Sequence, residues 1–560
     1  MRTLFILLFA AAIAAAQPAD LVLYNGKIVT GWAAKPVVNT VAIRGGKFVA
    51  VGEDMQAARR IDLKGRTVLP GLIDSHTHPI SSALSEKDAP IPVMESIADV
   101  QQYIRTQATR LPPDKLIIAL KVYSTRLKER RYPTRWELDK DAPDRAAMTD
   151  NGYASVLNSF LLKKLNITRD TPQPANGKII KDANGEPTGL ILGATQILGP
   201  LRASAKPTHA DRMWALKSMQ QHYNAVGITS TIDRGQTAEG FRVYQEMHRR
   251  GELTVRSYVT QLITAQGSPQ DVRQEIERLP FVTGFGDDML RVGSLKVVLD
   301  GGILIGTALL REPYGEHTEI YGYKDPHYRG VQAVPRENLF EMARVANELG
   351  WQMTAHTAGG GATDLLLDAY ENTDRDKSIL SRRFTVTHGN FPDARAIARS
   401  KKLGIVYDCQ PAWHHFDGQA IAPAFGPRRM KDFLPLRSLF DAGIVVAGGS
   451  DHMIRFDSRL AINPYNPFFG MWMAITRRTS DGGILGPEQA ITREEALRMW
   501  TWNGAYLSFE ESSKGSIEPG KLADLVVVSK DFLLCPVDEI KDMEALATIV
   551  GGKVVSGRLE

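Results

Sequence analysis

The sequence is short of cysteine. Among 560 residues only Cys409 and Cys535 occur. They form no C-x-x-C motif, which excludes a thiolate zinc cluster. Nothing in the pattern brings the two together, so no disulfide is expected. An excess of one charge is also missing. The 68 Lys and Arg against 63 Asp and Glu leave a net charge of +5. No concentrated basic stripe is present, which argues against a nucleic-acid partner. No G-x-G-x-x-G follows the first barrel-like strand, so a dinucleotide-binding open sheet is disfavoured. Hydrophobic residues are 43% and charged residues 23% of the chain. That balance is ordinary for a globular protein and excludes a disordered, collagen-like or polytopic membrane chain.

The one long apolar run is at the start. Residues 1–16 read MRTLFILLFAAAIAAA, one arginine before an apolar stretch that ends in small residues. This is the pattern of a secretory signal peptide cleaved after Ala16. The run is short for a membrane span and lacks a stop-transfer cluster. The mature chain is therefore expected to be exported, periplasmic or extracellular, with no stable membrane span after cleavage.

Both ends of the mature chain carry hairpin patterns. LVLYNGKIV (21–29) and VAIRGGKFVAVG (41–52) resemble ADLVVV (523–528) and ATIVGGKVV (547–555). Asn-Gly and Gly-Gly between β-branched runs are hairpin signals. Residues 17–69 and 500–560 are expected to assemble one composite β-sandwich. Between them, residues 70–499 alternate short apolar runs with amphipathic segments such as RENLFEMARVANEL (336–349). Strand–helix alternation over this length predicts a parallel sheet closed as a (β/α)₈ barrel, an α/β fold. The stretch from about 85 to 210 is long and irregular, and is expected to be an insertion or lid over one end.

The chemistry-bearing residues fall where apolar runs meet glycine-rich loops. In PGLIDSHTHP (70–79), His76 and His78 are two apart at a strand end and so point to the same side. Two such imidazoles can share one metal ion, although a surface pair in a turn gives the same spacing. His356 ends a run before Thr-Ala-Gly-Gly-Gly, His388 precedes Gly389, and Asp451 follows Gly448, Gly449 and Ser450. In a barrel these are the C-terminal strand ends, where functional groups converge. Each histidine alone is ordinary. Four histidines and an aspartate in one topological slot point to a metal centre.

Lys296 lies in GSLKVVLDGG, on the same strand face as Asp300. A buried lysine must be paired, neutral or modified. One reading is a carbamate able to bridge two ions, and the other is a salt bridge to Asp300 or another acid. Two lookalikes are set aside. GSIEPGK (515–521) has Leu522 where a phosphate loop needs Ser or Thr. Ser450, Asp451 and His452 are adjacent, which forbids triad geometry.

Taken together, VLPGLIDSHTHP (68–79), PTRWELD (133–139), LKVVLDGG (295–302), the His356 and His388 strand ends, AGGSDH (447–452) and the tail from TREEALRMWTWNGA (492–505) through GSIEPGKLADLVVVSKD (515–531) resemble the metal-dependent amidohydrolase superfamily in its YtcJ-like branch, amidohydrolase family 3, which includes N-substituted formamide deformylases. The resemblance spans nearly the whole mature chain. It implies a (β/α)₈ barrel with a flanking β-sandwich and one or two divalent metal ions, usually zinc. His76, His78, His356, His388 and Asp451 would be ligands, with a carbamylated Lys296 as bridge if two ions bind. Two positions depart from the branch. Asn151, Gly152 and Tyr153 stand where members usually read Asp-Gly-His, and Gly359 and Gly360 where they read Gly-Asp.

The expected activity is hydrolysis of a non-peptide C–N bond, amide-type, N-acyl or N-formyl, by metal-activated water. Asp451 would take the water proton and pass it to the leaving nitrogen. The partner is a small-molecule substrate, and a homo-oligomer is compatible with the sequence. Tyr153, Trp413 and His414 are the expected substrate contacts. The stretches QPAWHHFD (410–417) and PYNPFFGMW (464–472) would supply an apolar pocket. An esterase, lactonase or deaminase on the same barrel and a non-catalytic, metal-free binding protein are the alternatives.

Overall fold

The computed structural model describes residues 17–174, 177–193, 195–202 and 206–559. The leader expected at residues 1–16 lies outside them. The centre of the molecule is an eight-stranded sheet of parallel strands. They are β1 (Leu72–Thr77), β2 (Ile228–Gln236), β3 (Arg256–Leu262), β4 (Leu290–Val298), β5 (Met353–Thr357), β6 (Thr385–His388), β7 (Val406–Cys409) and β8 (Val446–Gly448), adjacent in that order. Thr77 at the end of β1 bridges in parallel to His452 just past β8, which turns the sheet into a (β/α)₈ barrel.

Burial on both faces explains the strand sequences. β5, β6 and β7 are buried at every position, so they show no in–out alternation: MTAHT, TVTH and VYDC mix apolar residues with buried threonines and end groups. The intervening helices bury one stripe each. Arg336–Leu349 buries Leu339, Met342, Ala343, Val345 and Ala346 and stops at Gly350, whose φ of 91° is open to glycine at little cost. Helix Ile97–Arg110 starts in a capping box in which Ser96 and Asp99 satisfy each other's backbone N–H groups.

Strands from both chain ends share one of two sheets. Thr67–Pro70 pairs antiparallel with Leu525–Val528, with Val68 opposite Val527. That sheet has six strands and faces a four-stranded sheet of Ala19–Tyr24, Val41–Arg44, Lys47–Val51 and Ala57–Asp62. Leu23, Ile43, Phe48, Val68, Leu525 and Ile549 fill the space between them. The Gly45-Gly46 hairpin forms as expected, with Arg44 opposite Lys47. The Asn25-Gly26 turn does not make a hairpin. Ala19–Tyr24 pairs with Val41–Arg44 and Ala57–Asp62, whereas Lys27–Val29 pairs in the six-stranded sheet. Asn25, at φ 55°, carries the chain from one layer to the other.

The inserted segment is not irregular. Ile117–Leu120, Ala147–Asp150, Ala154–Leu157, Pro187–Gly193 and Gly177–Lys181 form a five-stranded mixed sheet. Three of these strands have only four residues, too few to show a periodic pattern. The sheet is tied to the barrel by Arg126, which binds Asp417 through Nε (3.0 Å) and Nη2 (2.8 Å) while Thr125 Oγ1 donates to the same carboxylate (2.6 Å).

Candidate metal centre and active site

The strand ends bring the expected residues to one place. His76 Nε2 and His78 Nε2 each lie 3.4 Å from Asp451 Oδ1. Donors about 2.05 Å from a tetrahedral ion sit about 3.3 Å from one another, so this spacing fits one shared ion. Beside this trio, His356 Nδ1 and His388 Nε2 are 2.8 Å apart. The rings of His76 and His388 stack at 4.9 Å and join the two groups.

The outer nitrogens fix what the inner ones present. His76 Nδ1 donates to Asp408 Oδ2 at 2.9 Å, so its Nε2 carries a lone pair. His356 Nε2 donates to the Gly301 carbonyl at 3.2 Å, and His388 Nδ1 donates to Gln410 Oε1 at 2.7 Å. Both inner atoms, His356 Nδ1 and His388 Nε2, therefore present lone pairs to each other. A proton could relieve that conflict only on an imidazolium. Burial, followed by the charge of Lys296, pushes His356 down to about 3. Burial, and then His356 and His76, holds His388 well below the ordinary histidine range. A divalent cation is what this donor set fits.

Backbone geometry supports a built site. His388 and Asp451 adopt φ values of 70° and 55°, a region that side chains enter at a cost of about 1–3 kcal/mol unless neighbours enforce it. Asp451 is enforced: its N–H donates to the His76 carbonyl (2.8 Å) and its own carbonyl accepts from Asn463 Nδ2 (2.8 Å). Gly449 is required because a Cβ there would lie 2.7 Å from His76 Cβ.

Lys296 is buried and lines the cavity with the histidines. Burial first, and then the neighbouring Arg234 charge, lowers its ammonium to about 7. The salt-bridge alternative with Asp300 does not form. Asp300 is committed to three backbone N–H groups, those of Ala358 (2.9 Å), Gly359 (2.8 Å) and Leu309 (2.9 Å).

The metal-ligand candidates open into a cavity of about 1110 Å³. Its apolar wall comes from Ile263, Leu304 and Ile305 of the barrel loops and from Leu120, Tyr123 and Tyr153 of the inserted segment. Tyr153 stands 5.5 Å from the His356 ring, and Trp413 stacks on His388 at 4.6 Å. His414 is not brought to the cavity. It lies on the far side of helix Pro411–Met430, with Nε2 donating to the Leu485 carbonyl at 2.8 Å. The 464–472 aromatics are not in the wall either, because Pro467–Thr476 is a helix that buries Phe468 and Trp472. Gly359 keeps the branch's glycine and Gly360 is the departing position; both are crowded. A Cβ on Gly359 would lie 1.9 Å from the Leu309 carbonyl oxygen and one on Gly360 2.5 Å from Arg311 Nη1.

Three groups join the site without having been singled out by sequence: Asp408, Gln410 and Arg234. Asp408 ends an apolar run at a strand end, as the histidines do, and that pattern was available in VYDCQP (406–411).

Residues 59–556 match the family described as the amidohydrolase family. The chain is 29% identical over 96% of its length to an N-substituted formamide deformylase of Arthrobacter pascens, of which 98% is covered. It is 26% identical over 88% of its length to a putative amidohydrolase, YtcJ, of Bacillus subtilis (strain 168), 90% covered. An uncharacterized metal-dependent hydrolase from Pyrococcus horikoshii OT3 shares the fold at TM-score 0.69 and 22% identity, over 92% of this chain and 99% of that one. The chain belongs to the amidohydrolase family and is a hydrolase of carbon–nitrogen bonds other than peptide bonds.

Proposed function

We propose that the protein is a divalent-metal-dependent hydrolase of N-acyl or N-formyl amines. The observation that carries this reading is the facing pair of lone pairs on His356 and His388, beside a His76, His78 and Asp451 trio at zinc-like spacing. The likeness to the formamide deformylase of Arthrobacter pascens supports the amide class.

His76, His78 and Asp451 would hold one ion, and His356 and His388 a second. Lys296, as a carbamate, would lend two oxygens between them. Zinc bound there would act as a Lewis acid and lower the pKa of a water towards about 7. The second carboxylate oxygen of Asp451, Oδ2, receives the proton of the attacking water and returns it to the leaving nitrogen. Tyr153 and Trp413 hold the substrate against the centre, and the inserted sheet keeps bulk water out. Export of the mature chain is part of the proposal, supported by the pattern of residues 1–16. N-terminal sequencing should then find Gln17 first.

The test is a matched pair. An N-formyl or N-acyl amine should be hydrolysed, with activity lost to a chelator and restored by zinc. Turnover of the ester alone, with none of the amide, would transfer the assignment to an esterase on the same barrel.

A further inference from the structure

One strand end contacts an imidazole in each half of the centre. Asp408 is the third residue of β7, and Gln410 is the N-cap of the helix that follows. Both are buried, at 0% and 1% exposure. Asp408 Oδ2 accepts from His76 Nδ1 (2.9 Å), and its Oδ1 accepts from Ser75 Oγ (2.8 Å) and Gln410 Nε2 (3.0 Å). Gln410 Nε2 donates also to the Asp408 carbonyl at 3.2 Å. With its nitrogen fixed on two oxygens of Asp408, the Gln410 amide can turn only its oxygen towards His388 Nδ1, at 2.7 Å. On the far side, Arg234 Nε lies 3.3 Å from Asp408 Oδ2.

We infer that Asp408 and Gln410 are positioning residues that fix the tautomers of His76 and His388 together, so that the two metal positions are set by one hydrogen-bonded unit. The inference rests on the metal reading above. It goes beyond that reading because it predicts an asymmetry. Asp408 serves both halves: directly through His76, and through the Gln410 amide orientation for His388. Gln410 serves mainly the His356 and His388 half: its approach to His76 is long, 3.5 Å from Nε2 to an Nδ1 already donating to Asp408 at 2.9 Å. Without the carboxylate, the His76 proton has no acceptor and the Gln410 amide keeps only the Asp408 carbonyl as its anchor. Without the Gln410 oxygen, only His388 loses its acceptor and can place its proton on Nε2, the atom that should face the ion. Loss of such an outer partner typically weakens metal binding about 10–100-fold.

The experiment titrates metal-free full-length protein with cobalt(II), following visible absorption and calorimetry, so that site occupancy is read without turnover. Wild type should take two ions. Gln410→Met should weaken one site about 10–100-fold and leave the other at its wild-type affinity. Gln410→Glu, which as a protonated carboxyl keeps both a donor to Asp408 and an acceptor for His388 Nδ1, should restore the weakened site. Asp408→Asn should weaken both. Circular dichroism confirms folding, and the Glu variant controls for packing, since a filler role would be met equally by Met. Two tight sites in Gln410→Met, or equal weakening of both, overturns the inference alone. Wild-type protein that binds no cobalt overturns the metal reading, and the inference with it.

Discussion

Replacing Asp451 by asparagine removes a proton acceptor and the negative charge of the His76, His78 and Asp451 trio, while size and backbone bonds stay. Asparagine is isosteric and tolerates the φ of 55° found at this position. The backbone bonds to the His76 carbonyl and from Asn463 remain, since neither uses the side chain. The amide oxygen can still face the two histidines at about the same distance, so metal should be retained in part. What is lost is the group that receives the water proton and passes it on. General acid–base groups contribute about 10²–10⁴ in rate, which at about 1.36 kcal/mol per decade is about 3–5 kcal/mol of barrier. The assay is kcat for an N-formyl amine at saturating zinc, with metal content measured on the same sample. Asp451→Asn should lose that factor in kcat with KM little changed, because the binding wall of Ile263, Leu304 and Tyr153 is untouched. A fully metallated variant with near-normal kcat would remove Asp451 from proton transfer and leave it a ligand only.

Three further outcomes follow from the same geometry. Asp417→Ala leaves the Arg126 guanidinium largely buried without its carboxylate and should destabilise the inserted segment by about 3–5 kcal/mol in urea unfolding, whereas Arg126→Met with Asp417→Leu should recover most of it; a double variant as weak as the single would count against an ion-pair cause. Lys296→Ala should lose at least one metal equivalent and most activity, with partial rescue by acetate supplying the two oxygens; no rescue, together with full metal content, would argue against a bridging role. His356 is held at about 3 when folded, against about 6.5 when unfolded, so the unfolded chain binds more protons between those values and metal-free protein should lose stability as pH falls from about 6.5 towards 3. Chemical denaturation of the apo form at stepped pH measures this, and a flat profile would contradict it.

Much of the barrel and the gathering of its strand-end residues was legible because both leave one-dimensional traces. Buried parallel strands are short runs without in–out alternation, and His76, His356, His388 and Asp451 each stand where such a run meets a loop. What was illegible depends on three dimensions. The Asn25-Gly26 turn has hairpin composition, yet which strands pair is decided by burial of Leu23 and Ile28 in a common core. His414 and Trp413 are neighbours in sequence but occupy different sides of one helix, and only the structure shows which side meets His388. Asp408 and Gln410 carried the same strand-end pattern as the histidines. Their role is visible only once β7 is seen between β6 and β8, with Asp408 reaching His76 of β1 and Gln410 reaching His388 of β6.

The central claim is that the strand-end histidines hold a divalent metal needed for hydrolysis. Elemental analysis of purified wild type and of His76→Ala combined with His78→Ala, alongside turnover of an N-formyl amine, tests it most directly. Wild type should carry one or two equivalents of a divalent ion. The double variant should stay folded but lose metal from the Asp451 position, and lose turnover with it. A double variant with full metal content, or a metal-free wild type that still hydrolyses the amide, would contradict the account.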